Sequence, residues 1–169
     1  MTNQNKQILS QKQVFQKIRR IAFEIYEKNF EEQTLVLAGI DGGGAGFDFA
    51  TILAKEIQAI SKIEVKIIKI SFDKTATNPE VIFDSPLSNT AHQSVILVDD
   101  VLNTGKTLLL SLVEIMKQPV KKIQVAVIIN REYNKFPVRA DFIGYDLSTT
   151  MNDHVLVNLK ANEAGVFLN

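Results

Sequence analysis

The stretch Val95–Thr107 combines residue types that could bind a phosphorylated sugar. Four apolar residues run into two adjacent carboxylates, and a glycine-containing turn with two threonines and a lysine follows, just before a predicted helix. Carboxylates accept hydrogen bonds from sugar hydroxyls, whereas backbone N–H groups at a helix start bind phosphate. In this interpretation the sugar phosphate is bound by Asp99, Asp100, Val101, Leu102, Asn103, Thr104, Gly105, Lys106 and Thr107.

The same stretch has two other interpretations. Asp, Asn and Gly are common turn formers and Thr caps helices, so an ordinary strand, turn and helix would use the same residue types. That alternative stays open on residue types alone. A P-loop is set aside, because its motif needs a glycine five residues before Gly105, where the chain has Asp100.

A second polar turn, Asp41–Gly46, follows the apolar run Thr34–Ile40. Its glycines would let an anion approach the backbone closely, but Asp41 adds a negative charge. A flexible turn with a helix N-cap is the alternative. The glycine spacing of a dinucleotide-binding Rossmann motif is missing.

Apolar periodicity predicts the elements that position these turns. Ser10 and Gln13 have the spacing of a capping box for a first helix that ends at Asn29. Strands that alternate with helices predict an α/β fold with a mostly parallel central sheet flanked by helices, which binds ligands at the carboxyl ends of its strands. The further predicted strands are Thr34–Ile40, Ile63–Phe72, Ser94–Val98, Ile123–Ile129 and Ala140–Tyr145, and the further helices are Phe47–Ile60 and Thr107–Met116.

Two segments lack this alternation. Residues 73–93 are rich in Thr, Asn, Ser, Asp and Pro, which predicts a long loop, functional or flexible, with a short hairpin around Val81–Phe83. Near the end of the chain, His154–Leu168 predicts a small pair of strands. Nothing resembles a linker or a repeat, so we expect one domain over residues 1–169.

Composition narrows the class of protein. Apolar residues make up 46% of the chain and charged residues 22%, as in globular proteins. The absence of cysteine excludes a disulfide scaffold and a cysteine nucleophile, and favours the cytoplasm. A formal net charge of zero does not support a protein held mainly to nucleic acid. Met1 to Gln7 lack the apolar core of a signal peptide and no stretch approaches the length of a membrane span, so we expect neither feature.

The thirteen residues Val95–Thr107 resemble the phosphoribosyl pyrophosphate signature of type I phosphoribosyltransferases. Ile128–Tyr145 (IINREYNKFPVRADFIGY) resembles the segment after the signature helix in one subfamily, the pyrimidine-operon attenuation proteins that also act as uracil phosphoribosyltransferases. The resemblance implies the type I phosphoribosyltransferase fold with a small C-terminal hood. It also implies Mg²⁺ as cofactor.

The resemblance also implies roles for single residues. Asp99 and Asp100 would hold the ribose hydroxyls and, through these or water, help hold Mg²⁺, while the turn Thr104–Thr107 would bind the 5-phosphate. The loop Asp41, Gly42, Gly43 and Gly44 stands where the subfamily usually has lysine and arginine against pyrophosphate. Lys74 either replaces a missing loop arginine as a catalytic residue or is a solvated surface lysine.

For the base, the resemblance implies contacts from Arg139, Ala140 and Phe142. Arg139 either hydrogen-bonds the base or pairs with Asp141 on the surface. Some purine-specific relatives have an acid where this chain has Asn103, and an amide cannot exchange the proton. A pyrimidine is therefore favoured. Arg131 resembles an arginine that the subfamily keeps near its active site.

Two functions follow. The first is transfer of ribose 5-phosphate from phosphoribosyl pyrophosphate to a nucleobase, with uracil the first candidate, in pyrimidine salvage or regulation. The second is a nucleotide-sensing regulator of little or no catalytic activity, which binds a nucleoside monophosphate on the same fold. The resemblance permits RNA binding, although the charge of the chain does not support it. It also implies a homodimer or a larger homo-oligomer.

Overall fold

The structure is a computed structural model that describes residues 6–73, 79–150 and 153–169. Strands and helices alternate along most of this part of the chain. The elements are β1 (Lys6–Leu9), α1 (Gln11–Asn29), β2 (Thr34–Asp41), α2 (Gly46–Ile60), β3 (Glu64–Phe72), β4 (Val81–Phe83), a 3₁₀ helix (Leu87–Thr90), β5 (Ser94–Leu102), α3 (Lys106–Ile115), β6 (Lys122–Asn130), β7 (Phe142–Asp146), β8 (Val155–Asn158) and β9 (Gly165–Leu168).

The central sheet has six strands in the order β4-β3-β2-β5-β6-β7. Neighbouring strands from β3 to β7 are parallel, and β4 joins the edge antiparallel to β3. Residues alternate between the two faces of each strand, so β2 sends Leu35 and Leu37 to one core and Val36 and Ala38 to the other. The first core contains α1 and α2, the second α3. The predicted α/β fold with helices on both faces is confirmed.

The start of α1 follows the predicted capping box. The Ser10 backbone N–H donates to Gln13 Oε1 at 2.8 Å, and the Gln13 N–H donates to Ser10 Oγ at 3.4 Å. The helix ends at Asn29 as predicted, and its buried side recurs at helical spacing: Val14, Ile18, Ile21, Ala22 and Ile25. Local sequence alone therefore determines where this helix begins and which face it buries.

Strand β5 differs from its prediction. The polar residues Asp99 and Asp100 predicted that the strand ends at Val98, but it continues to Leu102. It pairs with β2 only as far as Val98, whereas its pairing with β6 runs on to Leu102. The two carboxylates therefore lie beyond the last residue of β5 that pairs with β2, where the strand is still paired with β6.

A second, three-stranded antiparallel sheet has the order β1-β9-β8. The strand pair β8 and β9 was predicted, and it forms the small hood. The pairing of β9 with β1 was not predicted, because the chain starts with polar residues and Lys6–Leu9 is too short a run to show strand alternation. Leu9, Val157 and Val166 are buried in the same core as α1 and α2, which attaches this sheet to the main body.

The long loop contains more regular structure than predicted. Strand β4 occupies the predicted hairpin position, and Leu87–Thr90 forms a turn of 3₁₀ helix. Lys74 lies outside the described residues. Within the described ranges, none of the helices combines the length and the hydropathy that crossing a membrane would require.

Candidate functional site

The turn between β5 and α3 encloses a small cavity at the carboxyl edge of the central sheet. Gly105 has φ of 85°, in the left-handed region that suits glycine, and α3 begins directly after it, where the Lys106 N–H donates to Thr104 Oγ1 at 3.3 Å. The first N–H groups of a helix have no partner inside the helix, so this end offers donors to an anion. The cavity is about 120 Å³ and is lined by Asp99, Val101, Leu102, Asn103, Thr104, Gly105, Lys106, Thr107 and Leu108.

The carboxylate of Asp100 links this turn to the glycine loop. Its Oδ2 accepts from the Ala45 N–H at 2.9 Å, and its Oδ1 accepts from the Val101 N–H at 3.0 Å. A Cβ placed on Gly44 would lie 2.7 Å from Asp100 Oδ2, so only glycine fits there without displacing the carboxylate. The two polar turns that the sequence singled out are therefore in direct contact.

Asp99 has a different environment. It is half-buried, its Oδ1 accepts the backbone N–H of Asp100 at 2.9 Å, and Gly46 packs against the same oxygen. Burial, and then the neighbouring Asp100 carboxylate, raise the pKa of Asp99 well above its ordinary value of 3.8. Asp99 therefore keeps its proton to a higher pH than an exposed aspartate does, and it can donate or accept a hydrogen bond.

A buried arginine holds the first residue of the turn. Arg131 follows β6 and is 6% exposed. Its Nη1 donates to Asn103 Oδ1 at 3.0 Å, its Nε to Thr149 Oγ1 at 2.8 Å and its Nη2 to the Thr150 carbonyl at 3.1 Å. The sequence interpretation noted Arg131 but not the two threonines, because nothing in their local sequence marks them. One guanidinium thus connects the turn to the segment that leads to the hood.

The charge of Asp41 has a partner that the sequence interpretation missed. Lys69 Nζ lies 3.7 Å from Asp41 Oδ2. Lys69 is on β3, which pairs in parallel with β2 so that Gly39 is opposite Lys69. Strand order and register would have been needed to find this pair, and local sequence does not supply them. Within the loop itself, Gly43 has φ of 95°, which explains one of its three glycines.

The residues predicted to contact a base do not lie in the cavity of the turn. Arg139 and Ala140 line a neighbouring cavity of about 400 Å³ with Leu102, Asn130 and Ile143. Asp141 accepts from the Val125 N–H at 2.8 Å, and no ion pair joins it to Arg139 within the described ranges. The structure does not bring Phe142 to either cavity, because Phe142 is fully buried in the core at the start of β7.

The described part of the chain contains no metal site built from protein side chains alone. No group of three or more His, Cys, Asp or Glu side chains there could hold a metal ion. Asp100 also directs both carboxylate oxygens at backbone N–H groups. The carboxylates of Asp99 and Asp100 fit Mg²⁺ only as an ion that arrives bound to a phosphorylated ligand. Mg²⁺ commonly keeps several waters and takes few protein ligands.

The fold and this site define an α/β protein of the class that binds its ligand at the carboxyl ends of parallel strands. Within that class, the chain belongs to the phosphoribosyl transferase domain family, whose model matches residues 4–163. The family resemblance drawn from the signature is therefore confirmed.

Relatives and solved structures agree with this assignment. The chain is 32% identical over 164 residues to the "Bifunctional protein PyrR" of Clostridium acetobutylicum, which covers 94% of this chain and 92% of the relative. It is 32% identical over 170 residues to the protein of the same name from Bacillus subtilis, with 93% and 91% covered. A hypoxanthine phosphoribosyltransferase of Trypanosoma cruzi superposes with a TM-score of 0.77 at 14% identity, covering 96% of this chain and 95% of that one. At that identity the superposition shows the fold alone.

Proposed function

We propose that this protein transfers ribose 5-phosphate from phosphoribosyl pyrophosphate to a nucleobase, with uracil the first candidate. Membership of the phosphoribosyl transferase family supports a pentosyltransferase. The finer assignment to uracil rests on the resemblance to the attenuation proteins and on relatives named PyrR at about 30% identity. In the reaction the bond from ribose C1 to diphosphate breaks, diphosphate leaves with the electron pair, and a base nitrogen that loses its proton bonds to C1.

One observation carries the proposal: a single segment, Asp99–Thr107, offers groups for both halves of a ribose phosphate. The start of α3 supplies backbone donors for the 5-phosphate. Asp99 and Asp100 stand on the strand just before it and would hold the two ribose hydroxyls. Mg²⁺, where bound, would neutralise charge on the diphosphate, held by ligand oxygens and, through ribose hydroxyls or water, by Asp99 and Asp100.

The choice of base rests on fewer groups. Arg131 is a donor only, so its bond uses Asn103 Oδ1 and does not occupy the Asn103 amide N–H groups. Asn103 can thus donate to a base carbonyl but cannot take its proton, which favours a pyrimidine over a purine. Arg139 and Ala140 are the remaining candidates for contact with the base, whereas the burial of Phe142 removes it from this proposal.

The second candidate is a nucleotide-sensing regulator. Asp41 favours it, because this carboxylate lies in the loop that would receive diphosphate and opposes an anion there to the extent that Lys69 does not balance its charge. A nucleoside monophosphate lacks the diphosphate group, so it needs the ribose-phosphate site and the base contacts but not this loop. RNA binding and a symmetric assembly belong to this candidate as well as to the first, and neither follows from the residues of the site.

Product formation separates the two candidates. Folded protein is incubated with phosphoribosyl pyrophosphate, Mg²⁺ and one of uracil, hypoxanthine or orotate, and nucleotides are separated by chromatography. UMP from uracil supports the enzyme. No nucleotide from any base, together with measurable binding of UMP, supports the sensor.

The site assignment has its own control. In the Asp99→Asn, Asp100→Asn double variant, binding of UMP should weaken by at least about tenfold, since hydrogen bonds to charged groups contribute roughly 1.5–3 kcal/mol each. Unchanged affinity in folded double variant would remove the segment Asp99–Thr107 from both candidates.

A further inference from the structure

The glycine loop is next to a lysine that belongs to another strand. Lys69 and Asp41 form an ion pair of 3.7 Å in which the side chains are 39% and 48% exposed. Exposed pairs of this kind contribute little to stability. The location of the pair suggests a role in ligand binding, because Asp41 begins the loop whose Gly44 packs against Asp100.

The fold determines where the ammonium of Lys69 lies. Ile68 and Ile70 are buried on the α3 side of the sheet, so Lys69 projects to the opposite side, where α2 starts. Its Nζ is 5.1 Å from the centre of the Phe47 ring, a favourable cation–π distance. Lys69 is opposite Gly39, and Asp41 is opposite Ser71, about 7 Å further along the strands. The side chain therefore runs toward the carboxyl edge, where ligands bind.

Lys69 changes the charge of the loop. Asp41 alone would make the entrance to Gly42–Gly44 negative, but the ammonium at 3.7 Å balances that charge. An ammonium has three N–H donors. One of them can remain directed at Asp41 while another reaches an anion in the loop, and the lysine does not need to leave its carboxylate.

We propose that Lys69 binds the diphosphate group of phosphoribosyl pyrophosphate, so that the positive charge missing from the loop sequence is supplied by the neighbouring strand. The inference rests on the proposed function, since it concerns the same ligand. Asp41 pairs with the same ammonium and offsets part of its charge, so Asp41 limits how strongly the loop attracts diphosphate. The cation is adjacent to the loop in space, although it is 28 residues from Asp41 in the chain.

The test compares ligands with and without diphosphate. Lys69→Met keeps the length of the side chain and removes its charge, and Lys66→Met makes the same change at an exposed lysine on the opposite face of β3.

Binding of phosphoribosyl pyrophosphate with Mg²⁺, of ribose 5-phosphate and of UMP is measured by calorimetry for each protein. We expect Lys69→Met to weaken phosphoribosyl pyrophosphate about tenfold or more, the size of one hydrogen bond to a charged group. Ribose 5-phosphate and UMP should bind to it within about twofold of wild type, and Lys66→Met should resemble wild type with all three ligands.

Each other outcome has one meaning. Equal affinity of Lys69→Met and wild type for phosphoribosyl pyrophosphate overturns the inference, and so does an equal loss for all three ligands, which would indicate a general change in fold. Wild type that binds UMP but not phosphoribosyl pyrophosphate also overturns it and leaves the sensor standing. Wild type that binds none of the ligands overturns the proposed function itself.

A second variant tests the pairing with Asp41. In Asp41→Asn the ammonium no longer has a carboxylate partner, so phosphoribosyl pyrophosphate should bind more tightly than to wild type, by about threefold to tenfold. The gain should be smaller in the Lys69→Met background, where only the direct repulsion between Asp41 and the ligand is removed. A gain of equal size in the two backgrounds would mean that Asp41 acts on the ligand without Lys69, and would overturn the pairing.

Discussion

Asp99 and Asp100 are neighbours in the chain, but the structure gives them unequal tasks. Asp100 accepts two backbone N–H groups and thereby joins the glycine loop to the turn. Asp99 is the half-buried member, and its pKa is raised by burial and by its neighbour. Residue types and spacing were enough to predict the pair. They could not predict the difference, because it arises from Ala45 and Gly46, which are far from the pair in the chain.

The raised pKa of Asp99 predicts how stability changes with pH. Folded protein keeps the Asp99 proton above the ordinary value of 3.8, at which the unfolded chain releases it. Between the unfolded and folded pKa values the folded state binds more protons, so the free energy of unfolding falls as pH rises, by at most about 1.4 kcal/mol per pH unit for one group. Asp99→Asn cannot titrate and lacks this fall. The free energy of unfolding in urea should therefore fall less with rising pH, from about pH 4 upward, for Asp99→Asn than for wild type. The same pH dependence in the two proteins would contradict the raised pKa of Asp99.

Arg131 provides the second prediction for a single residue. Arg131→Met removes three donated hydrogen bonds and leaves Asn103 Oδ1, Thr149 Oγ1 and the Thr150 carbonyl without this donor. We expect a loss of roughly 2–3 kcal/mol in the free energy of unfolding, measured in urea. UMP binding should weaken too, because the turn loses the bond that holds Asn103. Arg131→Lys retains charge but not the planar fork of donors, so it should recover only part of both losses; full recovery would mean that charge alone matters.

At the scale of the elements, sequence predicts most where the cause is local. The Ser10–Gln13 capping box and the apolar spacing of α1 were sufficient to place that helix. The end of β5 was misplaced because two aspartates usually mark a turn, whereas here pairing with β6 carries the strand to Leu102. The Asp41–Lys69 pair depends on strand register and could not be found before the sheet order was known.

Contact between the glycine loop and the signature can be tested with two neighbouring glycines. Alanine at position 44 would place its Cβ 2.7 Å from Asp100 Oδ2, whereas alanine at position 42 would meet nothing closer than 3.6 Å. Gly44→Ala should thus displace Asp100 and weaken UMP binding by about tenfold. Gly42→Ala should leave binding unchanged and alter stability by less than about 1 kcal/mol, since neither variant requires a positive φ. Equal affinities for UMP in the two variants would show that the loop and the carboxylate act independently.

At the scale of the whole molecule, the small sheet was only half predicted. The pair β8 and β9 follows from the alternation in its sequence, but β1 does not, because a four-residue strand at a polar terminus has almost no local signal. Strand β1 forms because it pairs antiparallel with β9. Leu9 then enters the core that α1, α2 and the central sheet share. A one-domain chain remains our prediction, and this shared core is the physical argument for it.

If the two sheets unfold as one cooperative unit, a destabilising substitution in β1 must lower the stability of the whole domain. Leu9 is 4% exposed, and its truncation leaves a cavity between the small sheet and α1. We expect Leu9→Ala to lower the free energy of unfolding by roughly 2–5 kcal/mol, the range for buried Leu→Ala changes. Ile82→Ala is the matched control, because Ile82 on the edge strand β4 is 47% exposed and its loss should change stability by less than about 1 kcal/mol.

Thermal unfolding followed by far-ultraviolet circular dichroism and by tyrosine fluorescence should give coincident transitions in wild type and in Leu9→Ala. Separate transitions would mean that β1 and the hood unfold on their own, in which case the chain has two units and the shared core does not join them.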